Sequence, residues 1–183
     1  MITMTVLLLG DSNLAQLNDG LPDLVTPAFG ADAECRAAGG AWSGSLRQQL
    51  GDRKPSDYDA IVVSIGSSDS HPSKGSSPTI FRENLSRELE RGGRWIALLP
   101  RSLAGTLDPA QSVEEVNALI RVYRAILEEL INASGGIALD TGAITESLGP
   151  EAYDTDGVHL TRAAYEELVP EVAKAIDAVS QRP

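Results

Sequence analysis

The sequence has very little cysteine and no long hydrophobic run. Cys35 is the only cysteine among 183 residues, so an internal disulfide and a cysteine-based metal cluster are both excluded. No stretch approaches the roughly 20 consecutive apolar residues of a membrane-spanning helix. The N-terminus also lacks the basic segment that opens a secretory signal. We therefore expect a cytoplasmic protein without a membrane partner, with a secreted form whose signal was trimmed as the alternative.

Basic residues are also in short supply. The chain has 15 Lys and Arg against 26 Asp and Glu, a formal net charge of −11, and no run of basic residues. Binding to the phosphate backbone of nucleic acids depends on clustered Lys and Arg, so we do not expect a nucleic-acid partner. The glycine-rich stretch 39–44 lacks the lysine and Ser/Thr spacing of a phosphate-binding loop. No cofactor is therefore expected.

Short apolar runs alternate with amphipathic helical patterns along the whole chain, which we interpret as one domain, 1–183. Strands are predicted at 6–9, 34–37, 60–65, 95–99 and 137–139, and helices at about 13–17, 45–50, 78–91, from 112 onward and from 161 onward. Residues 18–33 are predicted to be loop, and Pro170 is predicted to kink or split the last helix. This alternation predicts a three-layer α/β/α fold with a five-stranded parallel sheet in the flavodoxin-like order 2-1-3-4-5.

The first strand stops abruptly at Gly10-Asp11-Ser12-Asn13. Gly10 permits a sharp bend, which leaves Ser12 at the carboxyl end of a central strand, where open α/β sheets bind ligands. A serine there becomes a nucleophile if a base reaches it. The same residues also suit an ordinary turn with a helix N-cap.

A possible base for that serine lies near the other end of the chain. Asp156 and His159 are three residues apart, with Gly157 between them to allow a tight loop. The Asp156 carboxylate could accept from one ring nitrogen of His159 and leave the other nitrogen to act as a base. The alternatives are a surface turn with a capping histidine, or a metal site that adds Asp154. The metal site is the weaker of the two because the spacing offers no fourth ligand.

Four segments together resemble the blocks of the SGNH (GDSL-like) hydrolase family, in its order and spacing. They are Gly10-Asp11-Ser12-Asn13, Gly39 to Gly44, Gly66-Ser67-Ser68-Asp69 and Asp156-Gly157-Val158-His159. The resemblance implies the fold predicted above and an acyl-transfer site that acts on a small-molecule ester. It assigns Ser12 as nucleophile, His159 as base and Asp156 as the residue that orients the imidazole. It also implies that the backbone N–H groups of Ser12 and Gly44 bind the oxyanion.

One position departs from the family pattern. Ser68 stands where the family has an asparagine whose amide is the third oxyanion donor. A serine hydroxyl also donates, but it is shorter and rotates freely, and the loss of one such donor costs about 3–4 kcal/mol of transition-state stabilisation. Ser67 is the alternative match, one place earlier. We therefore expect a slow or specialised esterase, with a protein that has lost activity as the alternative.

Substrate specificity is weakly encoded. Possible substrate contacts are Asp11, Asn13, Trp42, His71 and Arg101. For Trp42 a core position is an equal alternative, and for His71 and Arg101 a solvent-exposed position is the alternative. The chain is too short for a sizeable lid domain, so we expect a shallow cleft for small acyl esters or acetylated sugars. The sequence does not indicate an oligomeric state.

Three other functions remain to be weighed. A non-catalytic binding protein on the same fold would account for Ser68, and an acyltransferase would use the same three catalytic residues. A phosphatase of the haloacid-dehalogenase type would use the aspartates of Asp154-Thr155-Asp156-Gly157. That chemistry needs the aspartate pair directly after a buried strand, and residues 149–153 do not form one.

Overall fold

A parallel sheet of five strands forms the middle of the fold. The computed structural model describes residues 4–106 and 108–181. The strands are β1 (Val6–Gly10), β2 (Glu34–Cys35), β3 (Ala60–Ser64), β4 (Trp95–Leu99) and β5 (Ile137–Asp140). Their order is β2-β1-β3-β4-β5, and every neighbouring pair is parallel. The predicted fold class and strand order are confirmed.

Helices connect the strands and cover both faces of the sheet. The α-helices are α1 (Ser12–Gly20), α2 (Pro22–Phe29), α3 (Leu46–Leu50), α4 (Pro78–Leu89), α5 (Val113–Ala133), α6 (Thr141–Ile144) and α7 (Arg162–Ser180). Short 3-10 helices span Ser43–Ser45, Pro55–Asp57, Ser68–Ser70, Pro72–Lys74 and Glu146–Ala152. Within residues 4–106 and 108–181, none of these helices combines the length and the apolar character needed to cross a lipid bilayer.

Alternate residues of the strands face opposite helical layers. Val6 and Leu8 of β1 pack with α1, α2 and α7, whereas Leu7 and Leu9 of the same strand pack with α3, α4 and α5. All five residues of β1 are buried. A strand buried on both faces is continuously apolar because it has no solvent side. Because helices cover both faces of β1, a ligand can approach this strand at the loop that follows its carboxyl end.

Two segments that contain proline are more continuously helical than the sequence suggested. Residues 22–29 form α2 rather than loop: Pro22 suits the first turn of a helix, and Val25 and Phe29 are buried in the core. The last helix is also not split, since α7 runs through Pro170. Pro170 is exposed, so the helical carbonyl that loses its N–H partner lies where water can reach it. Buried side chains on the opposite face hold the helix against the sheet.

The longest helix follows its sequence pattern closely. Ser112 Oγ accepts from the N–H of Glu115 at 3.2 Å, and Glu115 Oε2 accepts from the N–H of Ser112 at 2.9 Å. This is the capping box that satisfies donors at a helix start. Apolar residues recur along this helix at spacings of three and four: Val116, Ile120, Tyr123 and Leu127 are buried, while Val113 and Leu130 are half-buried. This apolar stripe is therefore core.

Candidate active site

Ser12 lies where β1 turns into α1. Gly10 has a φ of +115°, and a Cβ there would be 1.9 Å from the carbonyl oxygen of Ser64. The N–H of Asp11 donates to that same carbonyl at 2.8 Å. Only glycine tolerates both the positive φ and the close approach of the neighbouring strand. The turn thus places Ser12 as the first residue of α1, directly above the sheet edge.

A buried glutamine holds this turn from below. Gln49 Oε1 accepts from the N–H of Gly10 at 2.7 Å, and Gln49 Nε2 donates to the carbonyl of Gly10 at 2.9 Å. One amide side chain therefore satisfies both backbone groups of the residue that bends. Gln49 is a polar residue on the buried face of α3, beside Leu46 and Leu50. That pattern was a signal in the sequence, but we did not identify Gln49 from it.

The two ends of the chain meet at this turn. His159 Nε2 lies 3.0 Å from Ser12 Oγ, although 147 positions separate them in the sequence. His159 Nδ1 lies 2.5 Å from Asp156 Oδ2. The other carboxylate oxygen, Asp156 Oδ1, accepts from the N–H groups of Val158 and His159 at 2.8 and 3.0 Å. The three side chains form one continuous hydrogen-bonded chain from carboxylate to hydroxyl.

The environment of Asp156 favours its ionised form. Burial acts to raise its pKa, but hydrogen bonds from the backbone and ring of His159 and from the N–H of Val158 outweigh burial and leave the pKa below its ordinary value. The carboxylate therefore stays charged at neutral pH. A charged acceptor orients the His159 ring and stabilises the imidazolium that forms when Nε2 takes a proton.

The loop that carries Asp156 and His159 is held by the segment after β4. The carbonyl of Gly157 accepts from the N–H groups of Ala104 and Gly105 at 2.8 and 3.0 Å. A Cβ at Gly105 would lie 2.2 Å from the carbonyl oxygen of Asp156. Gly157 itself has a φ of +68°. The two backbones pack so closely that glycine is needed on both sides, a requirement that the sequence alone did not reveal.

Arg101 does not line the cleft beside Ser12 but a smaller pocket next to it, which shares Asn13 and Ser67 with the cleft. Its guanidinium donates to Thr145 Oγ1 at 2.7 Å and stacks on the Tyr153 ring, 4.1 Å from the ring centre. The Tyr153 hydroxyl donates to the carbonyl of Ser102. Arg101 therefore connects the segment after β4 to Thr145 and to Tyr153, which comes just before the loop of Asp156. Its planar, permanently charged group suits such a stacked position.

Asp11 borders the cleft but is buried, which makes it a structural residue rather than an exposed substrate contact. Only 2% of it is exposed. Its Oδ1 accepts from Ser64 Oγ at 2.9 Å and from the N–H of Asn13 at 3.1 Å, which caps α1. Burial raises the pKa of Asp11 to about 7, more than these hydrogen bonds lower it, and the nearby Asp69 raises it further.

Asp69 is a second buried carboxylate, and it holds the glycine-rich segment before α3. It accepts from the N–H of Ser43 at 3.0 Å and from Ser43 Oγ at 2.6 Å, and Ser76 Oγ donates to it at 3.0 Å. Burial raises the pKa of Asp69 above its ordinary value, against the lowering effect of these bonds. The sequence resemblance identified Asp69 only as the end of a block, not as the anchor of Ser43.

Gly44 and Trp42 pack on each other next to this anchor. A Cβ at Gly44 would lie 2.4 Å from Cζ2 of the Trp42 indole. Gly44 is the second residue of a short 3-10 helix, so its N–H has no carbonyl acceptor within that helix. Trp42 does not line the cleft that contains Ser12; it lines a neighbouring groove instead.

A cleft of about 470 Å³ opens above Ser12 and His159. It is lined by Asp11, Ser12, Asn13, Gln16, Gly39, Gly40, Ser67, Ser68, Ser70, His71, Ser73, Lys74, Leu103, Thr106, Gln111, Val116, Val158 and His159. Both Ser67 and Ser68 reach it, as does His71, whose Nε2 lies 3.6 Å from Asp108 Oδ2. Asn13 lines the cleft too, although its Oδ1 is buried without a hydrogen-bond partner among the described residues.

Acidic, histidine and cysteine side chains do not cluster as a metal site in the part of the chain that the structure describes. Of the three residues considered as ligands, Asp156 and His159 bond to each other, and Asp154 Oδ1 accepts from the N–H of Thr155 at 2.7 Å. Asp156, His159 and Ser12 are instead joined to one another by hydrogen bonds.

This sheet, with these four segments at its carboxyl edge, is the fold of the SGNH hydrolases. A lipase/acylhydrolase from Enterococcus faecalis is 21% identical, with 96% of each chain covered and a TM-score of 0.77. A GDSL-like lipase from Bacteroides thetaiotaomicron is 15% identical over 95% of this chain and 88% of that one, with a TM-score of 0.77. A mutant of an acetyl-xylooligosaccharide esterase from Geobacillus is 16% identical over 96% and 95%, with a TM-score of 0.72.

The comparisons at the level of sequence are negative. No protein-family model matches the chain, and no curated protein matches it. The resemblance stated from the four segments is thus confirmed through the fold.

Proposed function

We propose that the protein is a serine esterase that cleaves small or short-acyl esters, O-acetyl esters among them. The observation that carries this proposal is the continuous chain of contacts from Asp156 through His159 to Ser12. Nucleophile, base and orienting group stand within hydrogen-bond reach of one another, at the floor of a cleft. This is the geometric requirement for an activated serine.

In the first half of the proposed reaction, Ser12 Oγ attacks the carbonyl carbon of the ester. His159 Nε2 takes the hydroxyl proton as the new C–O bond forms, and Asp156 stabilises the resulting imidazolium. The tetrahedral intermediate then collapses, the bond to the alcohol oxygen breaks, and His159 returns the proton to that oxygen. The alcohol leaves, and the acyl group remains on Ser12.

In the second half, water attacks the acyl-Ser12 ester. His159 Nε2 accepts a proton from the water and later gives it to Ser12 Oγ as the acid is released. The products are one alcohol and one carboxylic acid, and the enzyme returns to its starting state. An acceptor alcohol in place of water would give acyl transfer with the same three residues.

The oxyanion would be held mainly by backbone donors. Ser12 is the first residue of α1, and Gly44 lies in the first turn of its 3-10 helix, so neither N–H has a carbonyl acceptor within its own helix. We assign both N–H groups to the developing negative charge. Asp69 contributes indirectly, because it holds Ser43 and thereby the backbone that presents the N–H of Gly44.

Ser68 is assigned as the third donor, with Ser67 beside it in the cleft. Neither hydroxyl has a hydrogen-bond partner among the described residues, so each is available to a ligand. A rotating hydroxyl must be ordered in the transition state, whereas a packed amide is already in place. The expected consequence is a modest turnover rate rather than a change of reaction.

The cleft suits a small ester. Its volume of about 470 Å³ lies within the range of small-molecule sites, and it combines apolar surface with hydroxyl and amide side chains that can orient a polar group. The Geobacillus esterase with the same fold is named for acetylated xylooligosaccharides. Short acyl groups on a polar alcohol are therefore the substrates we assign to this chain.

The test combines turnover with covalent labelling. Wild-type protein should hydrolyse p-nitrophenyl acetate and become labelled at Ser12 by a fluorophosphonate probe. Ser12→Ala should lose both, whereas Ser56→Ala, an exposed serine before β3, should keep both. Absence of turnover and of labelling in the wild-type protein would overturn the proposal in favour of a non-catalytic binding protein. Release of p-nitrophenol that rises with added alcohol, with ester as product, would identify the acyltransferase variant.

A further inference from the structure

A second groove lies next to the cleft, and nothing in the proposed reaction uses it. It has a volume of about 550 Å³ and is lined by Cys35, Arg36, Ala37, Ala38, Gly39, Gly40, Ala41, Trp42, Ser45, Gln48, Gln49 and Lys74. We call it the side groove. Gly39, Gly40 and Lys74 line both the side groove and the cleft that contains Ser12. A ligand in one can therefore extend into the other past Lys74.

Lys74 stands at the junction of the two grooves. It ends the 3-10 helix Pro72–Lys74 and is half-buried, so its stem is packed while its head is accessible. The Nζ atom lies over the Gly39-Gly40 turn, since a Cβ at Gly40 would be 3.7 Å from it. Among the described residues no carboxylate lies within ion-pair distance of Lys74.

Carboxylates neutralise six of the 14 Lys and Arg side chains that the structure describes. Ion pairs engage Arg53, Arg82, Arg91, Arg124, Arg162 and Lys174. The side groove differs: it contains the cations Lys74 and Arg36, and no Asp or Glu lines it. The chain as a whole carries 26 acidic residues and a formal net charge of −11. A local positive site in such a protein is a departure from its average charge, and it attracts an anion at short range.

We propose that the side groove binds an anionic group of the ester substrate, with Lys74 as the principal contact and Arg36 as the second. The inference rests on the proposed esterase function and narrows its substrate class to esters that carry a carboxylate, phosphate or sulfate. Trp42 and Gln48 offer an apolar face and an amide to the uncharged part of such a molecule. Lys74 is a specificity-determining residue in this account and takes no part in bond breaking.

The test compares esters that differ in one charge. One pair is 4-acetoxybenzoate and its neutral analogue 4-acetoxybenzamide, in which the charge is on the leaving group. The other pair is mono-p-nitrophenyl succinate and p-nitrophenyl butyrate, in which the charge is on the acyl group. The wild-type protein should show a higher kcat/KM for the anionic member of at least one pair, and the pair concerned tells which part of the ester enters the side groove.

Lysine and arginine variants then identify the source of the preference. Lys74→Gln should reduce the ratio of anionic to neutral kcat/KM by about fivefold, the effect of one partly exposed ion pair. Arg36→Gln should reduce it less, because Arg36 is more exposed. Lys54→Gln is the matched control: Lys54 is an exposed lysine just before β3, at the opposite edge of the sheet. A ratio that Lys74→Gln leaves unchanged overturns the inference.

A binding experiment separates this inference from the esterase proposal. Ser12→Ala protein is titrated with 4-hydroxybenzoate and with 4-hydroxybenzamide while the indole N–H signals are followed by NMR. The anion should shift the signal of Trp42 and leave that of Trp95, whose indole N–H donates to the carbonyl of Gly92, unchanged. Suppose the wild-type protein hydrolyses no ester, but the anion shifts the Trp42 signal and Lys74→Gln abolishes that shift. The esterase proposal is then wrong, while anion binding in the side groove is supported. If hydrolysis occurs without an anionic preference and without a Trp42 response, the side groove fails alone.

Discussion

The Asp69 carboxylate accepts hydrogen bonds from both the backbone N–H and the hydroxyl of Ser43, although 26 positions separate the two residues. Ser43 precedes Gly44, whose N–H we assign to the oxyanion. The carboxylate after β3 thus sets the position of a donor that belongs to a different loop. A preorganised donor is effective because it does not have to reorient during the reaction.

Removal of this carboxylate should lower turnover more than substrate affinity. In Asp69→Ala the buried N–H of Ser43 loses its acceptor, which costs about 1–3 kcal/mol of folding free energy. We expect kcat for p-nitrophenyl acetate to fall about tenfold, with KM little changed. Steady-state kinetics and urea unfolding measure the two effects. Ser76→Ala removes one donor to Asp69 but keeps Ser43, so a loss of kcat as large as that in Asp69→Ala would argue against this positioning role.

Asp156 should matter through the tautomer of His159. In Asp156→Asn an amide replaces the carboxylate opposite His159 Nδ1, and it can donate to that nitrogen, which turns Nε2 into a donor that cannot take the proton of Ser12. We expect kcat to fall by roughly 10²–10⁴-fold. Asp154→Asn, two residues earlier, is the matched control because, among the described residues, the Asp154 side chain accepts a hydrogen bond only from the N–H of Thr155. Equal activity in the two variants would exclude Asp156 from the proposed mechanism.

Gly44→Ala should damage both folding and turnover. The added methyl group would lie 2.4 Å from Cζ2 of Trp42, so the indole or the backbone must move. Overpacking of this kind costs about 1–3 kcal/mol. Thermal unfolding should show a lower Tm, and kcat should fall with it because the N–H of Gly44 is displaced. Gly20→Ala, where an added Cβ meets nothing within 4 Å, should change neither.

Asp11 should make folding stability depend on pH. Its pKa rises from the ordinary 3.8 to about 7 in the folded protein, chiefly by burial. Between these two values the unfolded chain has released the proton while the folded chain retains it, so stability falls as pH rises from about 4 to about 7. At about 1.4 kcal/mol per pKa unit the decline amounts to about 4 kcal/mol. Below about pH 4 and above about pH 7, Asp11 does not make the free energy of unfolding depend on pH.

The measurement is urea unfolding of wild type and Asp11→Asn at pH 4.5 and pH 8. The amide keeps an acceptor oxygen for Ser64 and for the N–H of Asn13 but does not ionise, so the variant should gain stability relative to wild type as pH rises. Asp52→Asn, an exposed aspartate, should parallel the wild type. A constant difference between wild type and Asp11→Asn across this range would contradict the burial argument.

Much of the fold was predictable because the signals are local. The apolar run of β1, the capping box at Ser112 and the alternation of strands with helices each depend on residues close together in the chain. The helix Pro22–Phe29 was missed because its two prolines read as breakers, whereas burial of Val25 and Phe29 against the sheet outweighs that preference.

The amino-acid sequence by itself determined the alternation of strands with helices, the bend at Gly10 and the spacing of Asp156 and His159, because each is a property of neighbouring residues. Only the tertiary structure decided that His159 reaches Ser12, that Arg101 stacks on Tyr153 instead of facing the cleft, that Trp42 lines the side groove, and that Asp11 and Asp69 are buried. Those outcomes depend on which distant segments share one edge of the sheet. Burial and partner choice there are set by packing, which no local pattern encodes.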